Sequence, residues 1–153
     1  MFELPQRATD VADQVEKFFQ QRVLPNNKLW EQQAGAGQAI PEIQQTLRDE
    51  AKALGLWNLF FPHLREDEPG TGLSNFEYAP IFEEMAKLPW APEVFNCNAP
   101  VTGNMELLAA AANEEQREKW LRPLLEGEWQ SCFAATEPLV VEPSPPDSPP
   151  GVR

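Results

Sequence analysis

Apolar residues recur three or four positions apart in five stretches of this chain, the spacing that lines one face of a helix. Val11, Val15, Phe18, Phe19 and Val23 form such a stripe over residues 9–24, with Thr9 placed to cap the helix and Pro25 to end or bend it. After the break at Gly35-Ala36-Gly37, Pro41 suits a first helical position. Ile43, Leu47, Ala51 and Leu54 then restore the period up to Gly55, a C-terminal cap. Ser74 with Glu77 makes a capping box ahead of Tyr78, Ile81, Phe82, Met85 and Leu88. Pro89, Pro92 and Pro100 force an irregular stretch before a helix resumes near Thr102 and runs to about Ala112. Asn113 caps a fifth helix, with acids in its first turn and Trp120, Leu121, Leu124 and Leu125 on its buried side.

The intervening segments carry their own signals. Residues 56–62 are too short for a membrane-spanning helix and too apolar for a solvated loop, so they are expected to plug the core. Residues 65–72 are charged and glycine-bearing, as a surface loop is. Residues 129–136 alternate in character and read as one strand with no second strand to pair with. From Leu139 onward prolines crowd a stretch with few large apolar residues, and a disordered tail is expected over 139–153. The expected fold is therefore all-α, about five helices followed by one orphan β strand and the tail. Residues 1–128 form the helical domain.

Composition narrows the function classes. A formal net charge of −12 with no Lys/Arg run repels phosphate backbones and anionic lipid, which argues against nucleic acid as a partner. No apolar run reaches membrane-spanning length. The start, Met1-Phe2-Glu3-Leu4-Pro5, shows neither a secretory signal nor the acid-poor pattern of a transit peptide. Cys97 and Cys132 lie far apart without metal-ligand spacing, which suits a reduced setting.

Taken by themselves, the reactive residue types announce no catalytic centre. His63, the single histidine, follows a core-like run and is read as structural or exposed. Glu83 with Glu84, and Glu114 with Glu115, belong to solvated helix faces. Nothing basic flanks either cysteine, and neither receives a catalytic role. Pro143-Ser144-Pro145-Pro146 matches a proline-rich docking pattern no better than any such tail would.

Two segments carry a family resemblance. Asn113-Glu114-Glu115-Gln116 through Trp120-Leu121 and Leu124, then Ser131-Cys132-Phe133-Ala134-Ala135-Thr136-Glu137-Pro138, are similar in content and spacing to acyl-CoA dehydrogenases. The stretch from Asn96 to Glu106 resembles the subgroup whose larger members carry a phosphotransferase-like domain upstream. The resemblance runs from about Leu4 to Pro138. It implies the helical amino-terminal domain of an FAD-dependent enzyme acting on acyl-CoA in fatty-acid β-oxidation, with a mitochondrial or peroxisomal address.

By the same resemblance residues 129–138 are the first strand of a truncated β domain, where Phe133, Ala135 and Thr136 contact the flavin. Asn96, Ala99 and Gly103 border the acyl-chain pocket, although plain proline-driven loop packing explains that stretch equally well. The sequence departs from the family after Pro138, where Leu139-Val140-Val141-Glu142-Pro143 replaces a serine- and aspartate-bearing turn. That departure implies a truncated isoform lacking the catalytic glutamate, with no turnover of its own. The competing expectation is a non-enzymatic binding module that associates with a full-length subunit, or with itself, through exposed apolar faces.

Overall fold

The computed structural model of the chain describes residues 3–134. Helix α1 (Gln6–Phe18) passes through a π segment (Phe19–Val23) and a 3-10 segment (Leu24–Asn26) into α2 (Asn27–Gly35) without a break. Next come α3 (Glu42–Ala53), α4 (Asn75–Met85), the short α5 (Ala91–Val94) and α6 (Val101–Ala111). The last helical run joins α7 (Glu114–Gln116), a π segment (Arg117–Leu121) and α8 (Arg122–Leu125). The described residues are thus helical and contain no strand, in keeping with the all-α expectation.

All five expected helices are present, and the differences lie at their ends. The first begins at Gln6 behind Pro5, so Thr9 is not its cap; the Thr9 hydroxyl donates back to the Pro5 carbonyl. Pro25 does not end this helix. The wider π turn ahead of it shifts the hydrogen-bond register, and the Asn26 side chain donates to the Arg22 carbonyl at 2.7 Å, so the chain continues helical past a residue that lacks an N–H. A second π segment precedes Pro123 in the same way. Residues 129–134 are irregular, because a strand needs a ladder partner and none exists among the described residues. The rest of the expected strand, and the expected tail, lie outside the described residues.

The other expected caps, at Ser74, Asn113 and Gly55, are present. Ser74 and Glu77 complete a reciprocal box, as do Asn113 and Gln116. Gly55, at φ 74°, closes α3: its N–H bonds the Lys52 carbonyl and the Leu56 N–H the Ala51 carbonyl. The Glu77 carboxylate accepts from the Ser74 backbone at 2.8 Å and its hydroxyl at 2.7 Å, and also from Arg7, which ties α4 to α1.

The apolar stripes meet in one core. Val15, Phe18 and Phe19 of the first run, Leu47 and Ala51 of α3, Ile81 and Met85 of α4, and Met105 of α6 are all buried. Residues 56–61 fill the centre as expected, with Leu56, Trp57, Leu59, Phe60 and Phe61 each at most 6% exposed. Within that plug Asn58 is completely buried, at φ 49°. Its amide donates to the carbonyls of Pro69 (2.7 Å) and Leu125 (2.9 Å), while its Oδ1 accepts from the Asn96 amide at 2.7 Å. Asn96, also fully buried and at φ 55°, donates in addition to Leu124 at 2.9 Å, and the Asn58 N–H bonds the Phe95 carbonyl.

A second tie crosses the same region. Arg48, buried on α3, donates to the carbonyls of Glu93 (2.7 Å) and Gly127 (3.2 Å) and lies 5.1 Å from the Trp57 ring centre. The turn at Gly127 (φ 74°) packs so closely that a Cβ there would stand 2.5 Å from the Trp57 ring and 2.7 Å from Arg48. Loop 65–72 is held by ion pairs, the most buried being Arg117 with Glu68, both side chains 7% exposed. Arg65 pairs with Glu114 and Arg122 with Asp67 at the surface.

Two stability measurements check this account. Asn58→Gly keeps the left-handed backbone but removes the amide, and urea unfolding should register a loss of about 2 kcal/mol. Asn58→Ala should cost about 1 kcal/mol more, because alanine resists positive φ; an alanine variant as stable as the glycine one would refute the strain argument. Hydrogen bonds from Ser74 hold the Glu77 carboxyl down from the ordinary 4.5 to about 2. Its contribution is therefore complete above about pH 4.5 and is lost as pH falls toward 2. Glu77→Gln should flatten the fall in thermal midpoint across that window; an unchanged slope would remove Glu77 as its source.

Candidate functional site

A cleft of about 480 Å³ opens between α4, residues 89–99 and α6, within the size range that holds small ligands, about 300–1,000 Å³. Tyr78 and Phe82 stand one helical turn apart on α4 and form one wall, with ring centres 5.8 Å apart. Thr102 and Glu106 stand one turn apart on α6 and form the other. Phe60, Pro89 and Pro92 contribute apolar surface, and Cys97, Asn98 and Ala99 complete the lining.

Apart from the carboxylates of Glu93 and Glu106, its lining is uncharged. Burial pushes the Cys97 thiol up to about 11, and the thiol donates to the Phe95 carbonyl at 3.2 Å. Burial likewise raises the Tyr78 hydroxyl, which faces Cys97 without a well-formed hydrogen bond. Both groups stay protonated near neutrality, so neither serves as a base or a thiolate nucleophile. Glu93 is anchored by Gln44 at 2.6 Å, and Gln44 is in turn held by the Trp30 indole at 2.6 Å. Among the described residues no group of three or more His, Cys, Asp or Glu side chains could hold a metal ion. His63 is exposed, as expected.

The residues singled out in the sequence fall in different places. Ala99 lies on the cleft. Asn96 sits behind it, enclosed and hydrogen-bonded to Asn58 and Leu124. Gly103 is exposed and points into open space. Asn98, Thr102, Tyr78 and Cys97 line the cleft and were missed. The i, i+4 pairs Tyr78/Phe82 and Thr102/Glu106 were the available signal, since each presents two side chains on one helix face.

Phe133 is 74% exposed at the end of an irregular segment. The Asn104 amide pins that segment, donating to Ser131 Oγ at 2.9 Å and to the Cys132 carbonyl at 3.2 Å. Ala135 and Thr136 lie outside the described residues. A hollow of about 330 Å³ lies beneath the segment, floored by Leu107, Leu108 and Leu124 and edged by Trp120 and Trp129. Helix α6 thus separates the cleft from this hollow and contributes to both.

Residues 5–128 match the family "Acyl-CoA dehydrogenase, N-terminal domain". The chain belongs to the acyl-CoA dehydrogenase family. It is 47% identical over 132 residues to mouse "Acyl-CoA dehydrogenase family member 10", a match covering 84% of this chain and 12% of that protein. It is 46% identical over 106 residues to the "Probable acyl-CoA dehydrogenase FadE2" of Mycobacterium tuberculosis, covering 69% and 25%. The structure of a putative acyl-CoA dehydrogenase from Mycobacterium abscessus superposes with a TM-score of 0.72 at 40% identity, covering 83% of this chain and 33% of that one. The chain therefore spans a third or less of each of these relatives.

Thiol chemistry checks the burial of the cleft. Iodoacetamide near pH 8 should label the exposed Cys132 and leave Cys97 unmodified in the folded protein, with both labelled in urea. Equal rates at the two cysteines would mean that the cleft wall opens.

Proposed function

We propose that this chain is the helical wall of an FAD-dependent enzyme that converts an acyl-CoA to its trans-2-enoyl-CoA, and that it has no turnover alone. The observation that carries this reading is the largely apolar cleft between α4 and α6, its two carboxylates at Glu93 and Glu106, on a domain matched to the family over residues 5–128. An acyl chain needs apolar wall, which Phe60, Tyr78, Phe82, Pro89 and Pro92 supply. Glu93 is held by Gln44, Glu106 stays in water and the small Ala99 leaves room on the α6 side. Asn96 supports the turn behind Ala99, and Gly103 leaves open space at its own position on α6.

The chain's residues fit one edge of a flavin and no more. An exposed aromatic at Phe133 offers a stacking surface, and backbone groups at Ala135 with the Thr136 hydroxyl offer hydrogen bonds to the ring. With a net charge of −12 the chain does not attract the cofactor's diphosphate. The chemistry FAD supplies when bound is acceptance of a hydride from the acyl β carbon, which with removal of the α proton gives the enoyl product. Among the described residues of the cleft none is assigned to that proton: Glu93 is anchored by Gln44, Glu106 is solvated, and Cys97 and Tyr78 stay protonated. Its part is to bind and orient the acyl chain and to exclude water from it.

A second reading is favoured by the exposed Leu107, Trp120, Trp129 and Phe133: a binding module that associates with a family subunit or with another copy of itself. Incubation with FAD, gel filtration and a visible spectrum test the first reading. The isolated chain should elute colourless, and a version with a family-type continuation after Pro138 should retain the flavin band. In that version Thr136→Ala should weaken flavin affinity about fivefold, the loss of one hydrogen bond worth roughly 1 kcal/mol. Unchanged affinity would refute the assigned role of Thr136, and a flavin band on the isolated chain would refute the claim that it supplies only one edge.

A further inference from the structure

We infer that the apolar groove between α1 and α3 binds a single-chain carboxylate amphiphile, a free fatty acid, with its tail against Phe18, Leu54 and Leu56 and its head at Lys17. The groove is separate from the cleft between α4 and α6, and the inference does not rest on the function proposed above.

The groove holds about 500 Å³, within the size range that takes small ligands. From the first helical run it is lined by Gln14, Lys17, Phe18, Gln21 and Arg22, residues three or four apart on one helix face. That stripe extends about 12 Å along the axis. Glu50, Ala53 and Leu54, with Leu56 beyond the helix end, line the other side. Phe18 and Leu56 belong to the core, at 5% and 2% exposed, so the floor is fixed. Leu54 is 58% exposed and forms an apolar wall that water disfavours.

Charge at the rim selects the head group. Arg22 donates to both Glu50 oxygens, at 2.6 and 2.8 Å, and this pairing holds the Glu50 carboxyl below its ordinary range. Those two charges therefore cancel. Lys17 has no hydrogen bond or ion pair among the described residues, and neither Asp13 nor Glu16 lines the groove. One uncompensated ammonium thus stands beside an apolar floor. A lysine stem lies along apolar surface while its head stays in water, so an anion meeting it there keeps much of its hydration. The complementary ligand has an apolar tail and a single anionic head.

Other occupants fit less well. An extended peptide carries backbone amides that an apolar floor leaves unpaired. A bilayer of anionic lipid faces the net charge of −12 of the whole chain, whereas a dispersed carboxylate in the groove meets Lys17 and is screened from more distant acids.

Titration calorimetry of the full chain with dispersed decanoate tests the inference, with 1-decanol and decyltrimethylammonium as head-group controls. Decanoate should bind at one site per chain, and both controls should bind at least about threefold more weakly, as loss of an exposed charge pair implies. Lys17→Glu should weaken decanoate at least about tenfold by replacing attraction with repulsion, and leave decanol unchanged. Leu54→Asp should weaken both ligands. Both positions are exposed, so melting curves should not move. Ala99→Trp, which narrows the cleft between α4 and α6, should leave decanoate affinity unaltered, and amide NMR shifts should concentrate in residues 14–22 and 50–56. No binding of decanoate up to millimolar concentration overturns the inference, as does decanol binding as tightly as decanoate. Binding abolished by Ala99→Trp and kept in Lys17→Glu also overturns it, and leaves the acyl cleft standing. A dimer dissolved by Leu54→Asp gives the groove to a second copy, and capture on phosphatidylglycerol vesicles without binding of dispersed decanoate gives it to a membrane; either result overturns the inference.

Discussion

The hydrogen bond between Asn58 and Asn96 is the constraint on which the rest of this domain depends. Both residues are fully buried and both hold left-handed backbone, a conformation asparagine tolerates better than most residues. The pair secures the carbonyls of Pro69, Leu124 and Leu125 and is bracketed by the bond from the Asn58 N–H to Phe95. Four segments distant in sequence meet there: the core plug, the end of the charged loop, the turn behind the cleft and the end of the last helix. In a low-dielectric interior such a network is strong when satisfied and costly when broken. The one unpartnered atom in it, Asn96 Oδ1, marks where the fold gave up a hydrogen bond to keep the others.

How much of this was legible follows from the kind of information each feature uses. Helices written by local periodicity and capping were readable from the sequence, as the Ser74 to Glu77 box and the Gly55 cap demonstrate. The plug over residues 56–61 was readable as well, since its composition suits only an interior. The continuation past Pro25 was not, because it needs a π turn and the Asn26 side chain, and neither leaves a trace in an apolar stripe. The pairing of Asn58 with Asn96 was invisible for a different reason: it joins residues 38 positions apart, and sequence spacing carries no distance.

The candidate cleft was partly legible for the same cause. Sequence position pointed to the stretch from Asn96 to Gly103, and Ala99 does face the cleft. Which neighbours share that face depends on the turn geometry. With Asn96 drawn inward and α6 beginning at Val101, the side chains presented to the cleft are those of Asn98, Thr102 and Glu106. Helix α6 divides its labour, offering one flank to the cleft and the other, through Asn104 and Leu107, to the segment that leaves the domain. The shape of the cleft and that of the hollow are therefore set by one rigid rod.

The close packing at Gly127 has an outcome for how this domain can vary. Even a methyl group there would meet the Trp57 ring and the Arg48 guanidinium. Those two side chains together hold the carbonyls of Leu125, Gly127 and Glu93. A position with no side chain and no chemistry thus becomes a checkpoint: alanine at 127 would propagate through the indole and the guanidinium to the turn beside the cleft and to the exit segment at once. Mutational tolerance in this domain is consequently governed by room as much as by reactivity, and a survey ranking positions by chemical function alone would overlook Gly127.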